Sequence, residues 1–422
     1  MDLVVALDAR EAVDAGRFGP KAANLAALGA ADLPVPGGYA VDARAYRMQL
    51  ASLGLQATAR EVFASEDSAR ARRCALDMRM ALMERPVAPP LAEAMLSAWR
   101  ASVANEGKGV VRSSALVEDR ASSSFAGQFE SFLDLHGEEE FLVAVRACWA
   151  ALWSTRALRY MATHDLDPAD TAMALIVQPL VAARVSGGGL SRTADGSMVV
   201  TAAPGLGSAI AQGEVAPDRY VLDRSGALKT SALGRSYHGV ACAHGRKSFS
   251  RSLSGPRCLD PEQVAEIGLL MRRSEDVVGG PVEIEWAADE TGIKLLQARP
   301  LRVANAAVPD EIWLQHPKLD GQPSGIGWAE GRARVVSCEC ELEQLAPGEV
   351  LVTTVAGPAL SPVLARVAGV VAELGGSTSH LASLARERGV PMVLGVPGAT
   401  QRIPNGATVA VDGVAGVVRW MQ

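Results

Sequence analysis

The chain has 422 residues, 49% of them hydrophobic and 21% charged, and a formal net charge of −6. That length fits two or three domains, and the composition fits a globular protein with ample core material, which excludes a disordered chain. The acidic balance excludes general electrostatic binding to nucleic acid, and no run of ~18 apolar residues is apparent, so no membrane span is expected.

In chain order, the first stretch has helical patterning broken at Leu33-Pro34-Val35-Pro36-Gly37-Gly38, a turn into a short strand. Residues 61–108 read as mostly helical, with runs such as Leu91–Ala104. A strand-like Gly109–Ser114 follows, and residues 137–163 read as helix again. From Ala172 to Leu301 the pattern is strand-dominated, with candidates at Met173–Val177, Met198–Thr201, Tyr220–Leu222, Val282–Trp286 and Ile293–Gln297. One helix, Pro261–Val278, interrupts it. Residues 302–325 carry Pro309, Pro317 and Pro323 and read as a linker, with Trp313 as a docking anchor. Residues 326–422 read as a compact β/β/α unit. Its strands are Val350–Thr354 and Val367–Ala372, and its helix is His380–Arg388. The whole is α+β and multidomain, not a regular βαβ alternation.

Six cysteines stand at 74, 148, 242, 258, 338 and 340, none with C-x-x-C spacing. Cys338-x-Cys340 would share one face of a strand, but no second pair follows at zinc-site spacing. With an N-terminus that lacks the features of a signal peptide, they read as reduced thiols of a cytoplasmic protein.

The sharpest chemical signal is Glu373-Leu374-Gly375-Gly376-Ser377-Thr378-Ser379-His380. A strand runs into a glycine turn, and a histidine opens the next helix. The free N–H groups and positive dipole end attract an anion and disfavour an imidazolium, so His380 is expected to be neutral and nucleophilic. Ser377, Thr378 and Ser379 add hydroxyls for phosphate oxygens or for capping. A bland alternative is a buried or capping histidine.

A second signal is a pair of strands. Glu283 and Glu285 share one face of the first, and Gln297 and Arg299 share one face of the second. With a hairpin through Asp289 and Gly292, two carboxylates, an amide oxygen and a guanidinium would converge. The oxygens suit Mg²⁺ and the arginine suits a phosphate. A salt-bridged, solvated sheet face is the alternative. Third, Lys21 opens an apolar helix after Gly19-Pro20. Arg112 precedes Ser113-Ser114 and Glu118-Asp119, and Ser122–Phe125 leads into Ala126-Gly127-Gln128. Loops of this kind can close over a nucleotide, although no G-x-x-x-x-G-K-[ST] is present.

Taken together, these segments resemble the family of pyruvate phosphate dikinase, phosphoenolpyruvate synthase and rifampin phosphotransferase. Gly19–Leu25 is similar to the family's Gly-Gly-Lys-x-x-Asn-Leu. Val111–Phe132 is similar to its Arg-Ser-Ser and Ser-Phe-Ala-Gly-Gln segment, and Gly375–His380 to its phosphohistidine motif. Cys148–Tyr160, Gly205–Asp218 and Glu283–Pro300 complete six blocks in the family's order. Pro20, Glu283 and Ser208 depart from the usual glycine, aspartate and glutamate.

The resemblance implies an ATP-grasp-like nucleotide-binding domain over residues 1–301, in two lobes with a boundary near 170–180. A linker at 302–325 and a swivelling phosphohistidine domain at 326–422 would follow. It implies ATP and Mg²⁺ as ligands, with Lys21, Arg112 and Arg299 on phosphates, Glu285 and Gln297 on the metal, and His380 as nucleophile. Gln128, Glu283 and Thr378 fall among the nucleotide-binding positions. The histidine would attack the β-phosphorus, release AMP, and pass a phosphoryl group on. No barrel or separate acceptor domain is recognisable, so the acceptor is expected to be a small molecule or a site on a separate subunit. A non-catalytic nucleotide-binding or phosphocarrier subunit is the alternative from another class.

Overall fold

A computed structural model describes residues 2–65, 67–103, 107–118, 125, 127–129, 131–238, 250–251, 257–304 and 311–421. The chain divides into two compact units: 1–181 with 294–299, and 182–293 with 300–422. Helix and sheet are mixed in both, as the α+β reading expects.

The first unit is built on an antiparallel sheet ordered Val4–Ala6, Tyr39–Val41, Met173–Pro179, Gly109–Ala115, Ser131–Leu135. Strand Met173–Pro179 is central and apolar on both faces, so helices must cover it. Those helices supply large side chains: Trp99 stacks on Phe141 with ring centroids 4.5 Å apart, and the Trp153 indole N–H donates to the Tyr46 hydroxyl at 2.8 Å.

By length and composition Gly137–Ala162 is apolar enough to cross a membrane, contrary to the expectation from sequence. It consists of two helices, Gly137–Ala151 and Thr155–Ala162, the second capped by the Ser154 hydroxyl on the Ala157 N–H. Phe141, Cys148, Trp149 and Met161 are buried in the first unit's core, and core helices read this way by composition.

In the second unit, strands Leu228–Ala232, Asp218–Leu222, Met198–Pro204, Val185–Leu190 and Val282–Asp289 lie in that order, each antiparallel to the next. Helix Pro261–Val278 buries Val264, Ile267, Leu270 and Met271. A capping box of Asp260 and Gln263 starts it and Gly279 ends it.

Residues 318–421 of this unit form an eight-stranded mixed sheet. Strands Trp328–Val336, Val350–Thr353, Gly369–Ala372 and Met392–Leu394 run parallel, and Thr408–Asp412 and Val417–Met421 add antiparallel strands. Val350, Val352, Val371, Val393, Val409, Val411 and Val418 make a core of their own. Strands Lys318–Asp320 and Gln322–Pro323 pair at the two edges, so this sheet begins inside the stretch read as a linker. Trp313 is buried, its indole N–H donating to Glu330 at 2.6 Å and its ring packing edge-on to Trp328. Cys338 caps the 3₁₀ turn Glu339–Gln344, so Cys338 and Cys340 do not share a strand face.

Candidate active site

In the first unit, Lys21 follows a kink. Gly19 has φ 76° and ψ 157°, inside what would otherwise be one helix, Ala15–Ala30. The kink lets the chain press on strand Gly109–Ala115: a Cβ on Gly19 would lie 2.4 Å from the Ser114 carbonyl oxygen. The Ser114 hydroxyl donates to the Phe18 carbonyl at 2.7 Å and accepts from the Ala22 N–H at 3.1 Å. One serine thereby satisfies a carbonyl and a helix-start N–H on either side of Lys21.

Lys21 Nζ then meets Glu118 Oε1 at 3.2 Å, while Glu118 Oε2 accepts from the Ala115 N–H at 2.6 Å. On the same strand, Arg112 donates to the Leu296 carbonyl at 2.6 Å and to Gln297 Oε1 at 3.0 Å. Segment 294–299 is also held by Asn24, which donates to the Ala298 carbonyl at 3.2 Å, and by the Leu295 N–H on the Pro34 carbonyl at 2.7 Å. Gln297 and Arg299 are buried there, as is Gln128, whose backbone carbonyl accepts from Arg156 at 3.1 Å. Lys21, Arg112 and Gln297 are thus joined to one strand of one unit. Asp119 and Ser122–Ser124 lie outside the described residues.

In the second unit, His380 is the first residue of helix His380–Arg388. The Ser379 hydroxyl caps it on the Ala382 N–H at 3.3 Å, and Gly389 ends it in the left-handed region. The three hydroxyls of the motif have separate tasks. Ser379 caps. Thr378 Oγ1 lies 2.7 Å from Thr201 Oγ1. Ser377 Oγ is buried without a hydrogen-bond partner among the described residues. Ahead of them, the Glu373 carboxylate accepts from the Thr400 backbone N–H at 3.0 Å and from its hydroxyl.

The loop touches two further sheets of the unit, a three-stranded one that includes Val215 and the one that includes Gly188 and Thr201. The Gly375 N–H donates to the Val215 carbonyl at 3.1 Å, and a Cβ on Gly188 would lie 2.6 Å from that of Thr378. Glu285, half-buried, pairs in register with Gly188. Glu283 accepts from the Ser383 hydroxyl at 2.9 and 3.0 Å and from Arg386 at 2.8 Å, all three side chains being buried.

The site residues therefore fall into two sets. Lys21, Arg112, Gln128, Gln297 and Arg299 belong to the first unit, and Glu283, Glu285, Thr378 and His380 to the second. Reading the sequence missed Ser383 and Arg386, which lie one and nearly two turns beyond His380. It also missed Thr201 and Gly188. Helical spacing was the available signal for the first two; the others come together only through strand pairing. Among the described residues no three His, Cys, Asp or Glu side chains cluster as a metal site. The first unit brings together cationic side chains and an amide oxygen, and the second holds a histidine at a helix start, three residues after a buried hydroxyl that has no partner among the described residues.

One unit carrying buried cationic and amide side chains and a second carrying a histidine at a helix start define the class, and sequence comparison gives the family. The chain belongs to the pyruvate phosphate dikinase family: residues 15–316 match its AMP/ATP-binding domain, and residues 345–416 match the mobile domain of PEP-utilising enzymes. It is 30% identical over 420 residues to a probable phosphoenolpyruvate synthase of Methanothermobacter thermautotrophicus, covering 96% of this chain and 61% of that protein. It is 31% identical to a probable phosphoenolpyruvate synthase of Archaeoglobus fulgidus and 31% identical to the phosphoenolpyruvate synthase of Aeropyrum pernix, covering 95% of this chain and 56% of each relative. The chain thus spans a little over half the length of these relatives.

Proposed function

We propose that the chain is an ATP-dependent phosphotransferase of the phosphoenolpyruvate synthase/dikinase type that works through phospho-His380. A ring nitrogen of His380 attacks the β-phosphorus of ATP, the bond from that phosphorus to the α–β bridging oxygen breaks, and AMP leaves. The terminal phosphate then goes to water or phosphate, and the remaining phosphoryl group passes to an acceptor. That acceptor is a small molecule or a site on a partner subunit.

The observation that carries this is the setting of His380. It opens a nine-residue helix, three residues after a buried hydroxyl with no partner among the described residues. N–H groups and a hydroxyl at such a place favour a phosphoryl group.

In this reading Lys21, Arg112 and Arg299 bind the ATP phosphates, and Gln128 lines the nucleotide site. Their work is positioning and charge neutralisation. Glu285 and Gln297 supply oxygens to Mg²⁺, which when bound offsets charge on the phosphates. We read residues 1–301 as a two-lobed ATP-grasp-like domain with its boundary near 170–180. Residues 302–325 are its linker, whose last residues already lie on the next sheet. Residues 326–422, with a core of their own, are the swivelling phosphohistidine domain.

Incubation with ATP labelled at the β-phosphorus tests the reading. Acid-labile, base-stable label on the protein with release of AMP supports it. Nucleotide bound without turnover would instead mark a regulatory subunit.

A further inference from the structure

We propose that Glu283 is a docking residue for the His380 helix and not a nucleotide ligand. Its position in strand Val282–Asp289 invites the nucleotide role, since Glu285 lies two residues on along the same face. The Glu283 carboxylate meets the His380 helix. The Ser383 hydroxyl donates to the carboxylate, lying 2.9 and 3.0 Å from its two oxygens, and Oε2 accepts from Arg386 at 2.8 Å.

Arg386 makes the contact specific. Its other terminal nitrogen donates to the Ser377 carbonyl at 2.6 Å and to the Ser324 carbonyl at 3.3 Å. One guanidinium thus spans the Glu283 strand, the loop that precedes His380 and the edge of the C-terminal sheet. Side-chain exposure is 8% for Arg386 and 6% for Glu283. A buried pair of this kind tolerates both partners or neither, because one ion left alone has no solvent. Buried ionic contacts are also directional, so this one fixes where the helix sits as well as whether it sits. Beside it, Thr378 rests on Gly188 and meets Thr201. Glu283 is therefore a positioning residue. Through Arg386 it holds the Ser377–His380 loop on the strands Val185–Leu190 and Met198–Pro204. The role rests on His380 as phosphoryl acceptor only in its kinetic consequence; the docking itself does not.

The test uses a Thr201→Cys/Thr378→Cys chain, whose introduced thiols occupy the places of two hydroxyl oxygens 2.7 Å apart. Oxidised glutathione converts the two thiols to a disulfide and is itself reduced, and peptide mass mapping follows that bond. Glu283→Gln should slow cross-linking at least ~5-fold, and Arg386→Gln should do the same, with the double variant no slower than the slower single one. Glu283→Asp, which keeps the charge and shortens the reach by one methylene, should slow it less and serves if the glutamine variant does not fold. In the parent chain, Glu283→Gln should leave ATP affinity within ~2-fold while slowing phosphohistidine formation at saturating ATP by ~10-fold. An unchanged cross-linking rate overturns the docking role. A loss of ATP affinity of ~10-fold or more overturns the reassignment. If the parent chain forms no phosphohistidine, the proposed activity fails, and cross-linking still decides the docking.

Discussion

Arg112 donates to Gln297 Oε1 at 3.0 Å, joining two residues 185 positions apart in the sequence. Its second terminal nitrogen holds the Leu296 carbonyl at 2.6 Å, so the guanidinium fork is fixed by a side chain and a backbone group together. In the proposed reading, a fork held this way is oriented before the ATP phosphates arrive. Arg112→Ala should reduce ATP-dependent AMP release at saturating ATP at least ~10-fold, equivalent to about 1.4 kcal/mol. Arg112→Lys should not restore it, because an ammonium lacks the two-pronged geometry. A wild-type rate of AMP release in Arg112→Lys would contradict this.

The kink at Gly19 makes a prediction about folding. Its backbone angles suit glycine alone, and a Cβ would meet the Ser114 carbonyl and hydroxyl oxygens at 2.4 and 2.5 Å. Gly19→Ala should destabilise the protein by roughly 1–3 kcal/mol, read from denaturant unfolding. The neighbouring Gly16, with φ outside the left-handed region, is the control, and Gly16→Ala should cost less.

The local pieces were readable because local chemistry decides them. Helix Pro261–Val278 has its Asp260/Gln263 box, its Pro261 start and its Gly279 stop all written in sequence. The kink before Lys21 is announced by Gly19-Pro20, and the histidine turn by Gly375-Gly376. The strand Val185–Leu190 was not readable, since Gly187-Gly188-Gly189 has poor strand propensity. Those glycines are demanded by tertiary neighbours: the Thr201 carbonyl, Thr378 and Met271 press where side chains would stand. The role of Glu283 was hidden for the same reason. A strand face shows which residues point together, but the partner here is a helix 100 residues further on.

Lys21 and Arg299 extend the test of the nucleotide site. Lys21→Ala and Arg299→Ala should each lower AMP release at least ~10-fold, as expected for loss of a charge-assisted partner of a phosphate. Lys21→Ala also removes the cation 3.2 Å from the buried Glu118 carboxylate, so it should lower the thermal midpoint as well. Two silent substitutions would remove the assignment of phosphate contacts.

Asp42 sets an acid limit in the first unit. Burial pushes its carboxyl up, but hydrogen bonds from the Arg44 side chain and backbone N–H and from Arg17 outweigh this and hold it below the ordinary carboxylate value. A group depressed on folding stabilises the fold fully above its unfolded value of about 3.9. That contribution is lost as pH falls through the lower, folded value. Unfolding free energy measured from about pH 5 to pH 3 should therefore fall less steeply in Asp42→Asn than in the wild type. Equal slopes would show that Asp42 contributes nothing to the acid limb.

The central claim is that His380 carries the phosphoryl group, and the direct measurement is label transfer from ATP labelled at the β-phosphorus, run on the wild type and on His380→Ala. The wild type should acquire acid-labile, base-stable label on the peptide containing His380 and release AMP. His380→Ala should acquire none and release no AMP, yet bind ATP within ~3-fold of the wild type, since the proposed phosphate contacts lie in the other unit. Label of the same stability on the alanine variant, or AMP released by it at the wild-type rate, would contradict the account.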